Sequence, residues 1–222
     1  MTTNQPALEE RPQRDGRRAR GDRSRRAVLD TAVQAASVEG LDALSFGGLA
    51  AQAPVNKSGI AGLFGSKEGL QLAVVEHARQ TFVDTVIAPA RNAEPGLPRL
   101  WATVGRWVEY SRSRVFTGGC FFRAVESEFD GREGQVRDAV VAAHQDWDGY
   151  LRRHAQRAAD SGQLDADTDP DQVVFELMAL LGAANDRSVL LGDGAVYDRA
   201  VHAIRGALRA HGADPADLGP WH

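Results

Sequence analysis

Residues 45–70 read SFGGLAAQAPVNKSGIAGLFGSKEGL, in which two short apolar patterns are separated by a break. In the first pattern, apolar residues recur at helical spacing, at Phe46, Leu49, Ala50 and Ala53. Ser45 precedes them and offers a side-chain oxygen to the free amides of the first helical turn. Pro54 lacks an N–H group and disfavours helical geometry at Ala53, which predicts a turn over residues 53–56.

A second short helix is predicted after this turn. Asn56 is placed to cap it, and its apolar stripe consists of Ile60, Leu63 and Phe64. The opposite face carries a basic residue, a hydroxyl group and two glycines, at Lys57, Ser58, Gly59 and Gly62. A face of this kind suits a helix that approaches a nucleic-acid groove closely. The spacing therefore favours a helix-turn-helix, and an ordinary helical core is the alternative interpretation.

Gly65 and Ser66 are predicted to end this helix and to cap a third one. At the start of the third helix, Lys67 and the first-turn amides are placed to meet a backbone phosphate.

From about residue 24 to residue 72, the chain resembles the amino-terminal domain of TetR-type (tetracycline-repressor-like) transcriptional regulators. The residues that match the family pattern, in order, are Gly40, Leu41, Ser45, Leu49, Ala50, Val55, Lys57, Phe64, Ser66, Lys67, Glu68 and Leu70. The resemblance implies a DNA-binding unit followed by a larger helical domain. It also implies phosphate or base contacts from Ser45, Lys57, Ser58 and Lys67.

The chain departs from the family pattern at three positions. Pro54 stands in the turn where the family usually has glycine, and proline cannot adopt the positive φ of glycine. Ala61 and Gly62 stand where the family commonly has a tyrosine and another polar or aromatic residue. We therefore expect a differently built turn and fewer direct DNA contacts.

The charge of the chain is divided unevenly along its length. The net charge is −4, but residues 1–70 carry 10 basic and 8 acidic side chains, and the remainder carries 16 and 22. Much of the positive charge lies in eight arginines near the amino terminus, Arg11, Arg14, Arg17, Arg18, Arg20, Arg23, Arg25 and Arg26. We expect a disordered basic arm that lies along phosphates or enters a minor groove, with a solubilising tail as the alternative.

Composition narrows the class of protein. The 222 residues are 43% hydrophobic and 25% charged, which is typical of a globular chain with a substantial core. We expect a cytoplasmic protein without a membrane span or secretory signal, because no apolar run of 18 residues occurs. The single cysteine, Cys120, excludes an internal disulfide, and the 6 histidines do not pair at metal-ligand spacing. We therefore predict no metal, no cofactor and no catalytic site.

The remaining apolar patterns are all helical. They predict a first helix from Arg23 to Glu39 and a long one from residue 66 to about residue 87, before Pro89. Further helices are expected from residue 97 to near residue 117, from Cys120 to Phe129, from Arg132 to about Ser161, from Pro170, and over residues 196–208. The predicted fold class is all-α, with a three-helix helix-turn-helix unit at residues 23–70. The other predicted segments are a basic arm at 1–22, an effector-binding and dimerisation domain at 71–211, and a loose tail at 212–222.

Residues 173–184 are apolar on nearly every face, so this helix must be covered on every side. We predict that it and the last helix pair with their copies in a two-fold homodimer. A helix buried inside one monomer is the alternative. The family resemblance implies the same four-helix interface.

The middle of the chain is rich in aromatic residues, and most of them are expected to form the core. The regulators that this chain resembles hold a small, mostly apolar effector in the corresponding domain. Our candidates for effector binding are Trp107, Cys120, His144, Trp147 and Tyr150. Our candidates for DNA binding are Ser45, Asn56, Lys57, Ser58, Gly59, Gly62, Lys67, Arg23, Arg25 and Arg26.

The functional hypothesis is a repressor that binds a palindromic double-stranded DNA operator and is released by a small-molecule effector. The alternatives are an adaptor or ligand-binding dimer that has lost DNA binding, and an enzyme on the same scaffold.

Overall fold

The structure, a computed structural model, describes residues 11–220, with side chains from residue 19 onward. All regular elements in this part of the chain are helical. The α-helices are α1 (Arg11–Glu39), α2 (Phe46–Ala50), α3 (Lys57–Phe64), α4 (Lys67–Phe82), α5 (Ala88–Ala90), α6 (Leu97–Arg112), α7 (Phe121–Phe129), α8 (Gln135–Asp160), α9 (Pro170–Leu191) and α10 (Val196–Ala210). The all-α prediction is confirmed.

The first helix is longer than the sequence pattern predicts. It begins at Arg11 instead of Arg23, so residues 11–22 are helical and the expectation of a disordered arm is wrong for them. Arginine and alanine are good helix formers. Once the later, apolar part of α1 has formed, these residues can extend the helix toward the amino terminus without an apolar stripe of their own. Residues 1–10 of the predicted arm lie outside the described residues.

Helices α1 to α4 form the amino-terminal unit around a small apolar core. Its fully buried side chains come from all four helices and from the loop after α1, at Val28, Ala32, Leu41, Leu49, Ile60, Leu70 and Val74. Gln71 donates from Nε2 to the carbonyl oxygen of Leu41 at 3.1 Å and so anchors that loop to α4. The short helices α2 and α3 are thereby held at the surface of the unit.

The helix that leaves this unit does not stop before Pro89. After α4 the chain forms a π-helical turn, Val83–Ile87, and then α5, which contains Pro89. Pro89 has no N–H group to donate to the preceding turn, and the wider π-helical turn directly precedes it. The connection from the amino-terminal unit to the rest of the chain is therefore one helical run with a local irregularity.

Helices α6 to α10 form the larger domain. Asp169 caps α9 and Pro170 is its first residue, as predicted. The expected extension of α6 to near residue 117 is wrong, since α6 ends at Arg112 and Arg114 has a φ of 55°. The following segment is held by α1 instead, because Gln34 donates to the carbonyl oxygen of Val115 at 2.9 Å.

The predicted loose tail is also wrong up to residue 219. A 3₁₀ helix, Pro215–Leu218, buries Leu218. The indole of Trp101 donates to the carbonyl oxygen of Gly219 at 2.7 Å, and Arg205 donates to that of Leu218 at 3.1 Å. Residues 221 and 222 lie outside the described residues.

Between residues 11 and 220, no helix has the length and apolarity needed to cross a membrane. The same part of the chain contains no group of three or more His, Cys, Asp or Glu side chains suited to holding a metal ion.

Candidate functional site

The pair of helices α2 and α3 is built by local capping. The Ser45 hydroxyl accepts from the amide of Gly48 at 3.1 Å, and the Asn56 carboxamide oxygen accepts from the amide of Gly59 at 2.8 Å. Both predicted caps are confirmed. A side-chain cap satisfies one of the amides that a helix leaves free at its start, and it is worth about 1 kcal/mol.

The turn between α2 and α3 contains no residue with a positive φ, as expected from Pro54. It closes instead through the amides of Gln52 and Ala53, which both donate to the carbonyl oxygen of Leu49, at 3.0 and 2.8 Å. The turn is therefore a continuation of helical hydrogen bonding that ends at Pro54.

The outer face of α3 presents Lys57, Ser58 and Gly62 to solvent, and we call these three residues the α3 face. A Cβ atom built on Gly62 would meet nothing within 4 Å, so this position leaves open space above the helix. Ser58 donates its hydroxyl to the Asn56 oxygen at 3.0 Å. Gly59 differs from Gly62, because a Cβ there would come within 2.9 Å of Val55. Packing against the preceding turn accounts for this glycine.

The three arginine candidates on α1 have different surroundings. Arg23 and Arg26 are exposed. Arg25 is half-buried and donates to the carbonyl oxygen of Leu63 at 2.8 Å, with its guanidinium group 4.6 Å from the centre of the Phe64 ring. Arg25 therefore fastens the end of α3 to α1.

Lys67 also has protein partners. Its ammonium group donates to the carboxylate of Asp42 at 3.0 Å and to the carbonyl oxygen of the same residue. The Lys67 ammonium lowers the pKa of Asp42 through this hydrogen bond and its charge, and Arg132 contributes less. The structure thus gives Lys67 a role in joining α4 to the loop after α1.

A cavity of about 300 Å³ lies between helices of the larger domain and the end of α4 with its π-helical turn. It brings together all five residues predicted to bind an effector: Trp107, Cys120, His144, Trp147 and Tyr150. The cavity is also lined by residues that the sequence pattern did not indicate, including Phe82, Val83, Ile87, Phe122 and Met178. Two of these, Val83 and Ile87, belong to the π-helical turn.

The walls of this cavity are mainly aromatic. Phe82 packs edge-on against Trp147 with ring centres 4.9 Å apart, and Trp147 stacks on Tyr150 at 6.2 Å. Buried polar atoms are found beside these rings. Arg123 Nε, His144 Nε2 and the Tyr150 hydroxyl have no hydrogen-bond partner among the described residues. Apolar walls with a few convergent polar groups are typical of small-molecule sites.

Cys120 contributes a neutral surface to this cavity. Burial raises the pKa of its thiol, against smaller opposing effects from neighbouring hydrogen bonds. Because the thiolate is the reactive form, a thiol kept protonated in this way is a poor nucleophile.

Two family comparisons match this arrangement of domains. Residues 28–74 match the family described as bacterial regulatory proteins, tetR family, and residues 96–204 match the tetracyclin repressor-like C-terminal domain. The chain belongs to the TetR family. It is a helix-turn-helix transcription regulator, and regulators of this family are generally non-enzymatic DNA-binding proteins.

Solved structures with the TetR fold are similar to this chain. A TetR transcriptional regulator from Chloroflexus aurantiacus J-10-FL has a TM-score of 0.77 and 20% identity, with 84% of this chain and 94% of that one covered. A TetR-family regulator from Streptomyces coelicolor has a TM-score of 0.73 and 23% identity, with coverages of 86% and 96%. AibR in complex with isovaleryl coenzyme A and operator DNA has a TM-score of 0.62 and 18% identity, with coverages of 73% and 86%. No curated protein matches the sequence.

Proposed function

We propose that this TetR-family chain is a ligand-responsive repressor that binds a palindromic operator as a homodimer and is released by a small, mostly apolar effector. The observation that carries the proposal is the combination of an exposed α3 face and an aromatic cavity in one chain. The first offers a basic residue, a hydroxyl group and open backbone to a DNA groove. The second offers apolar walls and unpartnered polar atoms to a ligand.

Dimerisation through α9 and α10 is supported by exposed apolar side chains on α9. Phe175, Leu190 and Leu191 are 69%, 83% and 59% exposed. Large apolar side chains grouped on one helix mark an interaction surface. A two-fold dimer also fits the proposed DNA target, because paired helix-turn-helix units bind half-sites about one duplex turn apart.

The helical run from α4 through the π-helical turn supports coupling between the two sites. Its first part packs on α1 and α3, and its last part lines the cavity through Phe82, Val83 and Ile87. An effector in the cavity therefore contacts the same run of chain that supports the helix-turn-helix. π-Helical turns occur frequently at functional sites.

The structure of AibR contains both a small molecule and operator DNA, which shows that the TetR fold serves both kinds of ligand in that protein. We extend this pairing of DNA and effector to the present chain as part of the proposal. Release from the operator requires that the effector bind the released conformation more tightly than the DNA-bound one. Moving the population from almost wholly bound to almost wholly released takes an affinity difference of about 5.5 kcal/mol between the conformations.

The proposal is tested by selecting bound fragments from a random pool of duplex DNA. The enriched fragments are expected to be palindromic. Lys57→Ala is expected to weaken binding to them about tenfold, because a charge-assisted contact is lost. Arg137→Ala is the matched control. This arginine lies on α8, outside the α3 face, and its side chain is 39% exposed.

Failure to enrich any sequence, even at low salt, would contradict the proposal. This result would favour the second candidate function, a dimeric ligand-binding adaptor. Ala61 and Gly62 support that candidate, because neither provides a polar side chain on α3.

A further inference from the structure

A second cavity, open to the surface and lined mostly by exposed side chains, adjoins the aromatic one along α8. Its volume is about 620 Å³, and it shares Arg91, Tyr150 and Arg153 with the aromatic cavity. The two cavities therefore meet at these three side chains. Arg91 and Arg153 form part of the wall of the aromatic cavity. The second cavity lies on the other side of them.

The second cavity is strongly basic. Its lining contains five arginines, at positions Arg91, Arg99, Arg152, Arg153 and Arg157, and one carboxylate, Asp160. Asp160 accepts from the neutral side chain of Gln156 at 2.8 Å. With five arginines and one carboxylate, the lining carries an excess of positive charge.

Most of these guanidinium groups are not neutralised by a carboxylate. Arg152 is paired with Asp171, and Arg99 donates to the carbonyl oxygens of Ala93 and Arg91. The side chains of the other three, Arg91, Arg153 and Arg157, form no ion pair with any described residue. Three uncompensated positive charges therefore line the second cavity, and two of them, Arg91 and Arg153, lie where the two cavities meet.

His154 lies in the wall of the second cavity and responds to this charge. Its pKa is lowered to about 4, first because the ring is buried and then because Arg99, Arg153 and Arg157 repel the imidazolium form. The arginines of the lining therefore disfavour a positive charge at His154. The same charges favour an anion in the second cavity.

We propose that the effector is an amphiphile with a phosphate-bearing head, whose apolar part fills the aromatic cavity and whose head is bound by Arg91, Arg153 and Arg157. This inference rests on the proposed effector function of the aromatic cavity and adds the chemical class of its ligand. A phosphate group carries more than one negative charge and accepts paired hydrogen bonds from the guanidinium fork. A single carboxylate neutralises only one of the three positive charges.

The test compares three probes with the same eight-carbon chain: octyl phosphate, octanoate and octanol. Isothermal titration calorimetry on the full-length protein is expected to rank them in that order. Octyl phosphate should bind at least about tenfold more tightly than octanol, and its affinity should fall as salt is added. Equal affinities of octyl phosphate and octanol would overturn the proposal, and equal affinities of octyl phosphate and octanoate would overturn the phosphate assignment.

The double variant Arg153→Gln/Arg157→Gln assigns the effect to the arginines. It is expected to weaken octyl phosphate binding at least about tenfold more than octanol binding, so that the ratio of the two affinities falls. Arg137→Gln, on the same helix but outside both cavities, is the matched control. Unchanged affinity of the double variant for octyl phosphate would overturn the proposal.

DNA binding by the same samples is measured separately, by mobility shift on the selected fragments. Absence of DNA binding would contradict the proposed function while the calorimetric ranking still decides the phosphate site. Normal DNA binding with no preference for octyl phosphate would contradict the present inference alone.

Discussion

At the scale of single residues, Arg25 shows how a basic side chain beside a helix-turn-helix is used for internal support. Its guanidinium group binds the last turn of α3 through Leu63 and covers the ring of Phe64. The carbonyl groups at the end of a helix lack partners within the helix, so this hydrogen bond satisfies one of them. The orientation of α3 on α1 depends on it.

We predict that Arg25→Gln lowers the free energy of unfolding by about 1 to 2 kcal/mol, because a charge-assisted hydrogen bond and a cation–π contact are lost. Urea denaturation followed by circular dichroism measures this change. Arg26→Gln, at the exposed neighbouring position, is expected to leave stability unchanged. Unchanged stability of Arg25→Gln together with weaker operator binding would instead identify Arg25 as a DNA contact.

His154 is a second residue whose surroundings have a measurable consequence. Because its pKa is about 4 in the folded chain, and about 6.5 when unfolded, the unfolded chain binds more protons between these values. Stability is therefore complete above pH 6.5 and is lost as the pH falls toward 4. His154 is 7% exposed, so water screens this effect only weakly.

The native chain is expected to lose stability between pH 7 and pH 4.5. We predict that the free energy of unfolding of His154→Gln falls by about 2 to 3 kcal/mol less over the same range. The measurement is the urea unfolding free energy of each protein at both pH values. His202→Gln, at an exposed position on α10, serves as the control. An identical pH dependence for the His154 variant and the native chain would show that folding does not lower the pKa of His154.

At the scale of elements, α7 connects the cavity to the helix-turn-helix unit. It begins after Cys120, which lines the cavity, and near its other end Glu128 accepts from the amides of Leu41 and Asp42, both at 3.0 Å. Gly40 makes room for this contact, because its φ is 91° and a Cβ there would lie 2.3 Å from a Glu128 oxygen. The carboxylate thus holds the loop that joins α1 to α2.

We predict that Glu128→Gln exposes the loop after α1 to local opening, since an amide side chain provides only one acceptor for two N–H groups. Amide hydrogen exchange at Leu41 and Asp42 should become faster, and the unfolding free energy should fall by about 1 to 3 kcal/mol. Glu133→Gln, at an exposed position before α8, provides the comparison. Native exchange rates at both amides in Glu128→Gln would show that α7 does not hold this loop.

Elements that depend on neighbouring residues could be predicted from the sequence, and elements that depend on distant partners could not. The caps at Ser45, Asn56 and Asp169 act within three residues along the chain, so their sequence pattern is sufficient. The ordered tail depends on Trp101, which is 118 residues away from Gly219. No local pattern carries that information.

The candidate cavity shows the same division. His144, Trp147 and Tyr150 share one face of α8 at a spacing that the sequence displays, and all three line the cavity. The arginines Arg91 and Arg153 line it too, but a charged residue on a helix usually faces solvent, so the pattern did not single them out. Their contribution depends on how α5 and α8 each pack against α6.

At the scale of the whole molecule, one chain leaves a large apolar surface uncovered. The exposed side chains of Phe175, Leu190 and Leu191 lie on α9, which also packs against α8 and α10. Burial of apolar surface is worth about 25 cal/mol per Å², so covering these side chains with a second copy favours association. The two helix-turn-helix units of such a dimer are then held at a fixed separation.

We predict that Leu190→Glu converts the protein to a monomer and weakens operator binding by more than about a hundredfold, since a charge buried at a dimer interface is unpaired and each monomer contacts one half-site only. Sedimentation velocity gives the mass of the species in solution, and mobility shift gives the affinity. Ala142→Glu introduces the same charge at an exposed position of α8 and should leave both measurements unchanged. A Leu190→Glu protein that remains dimeric would place the interface elsewhere, and one that becomes monomeric but keeps full operator affinity would separate DNA binding from dimerisation.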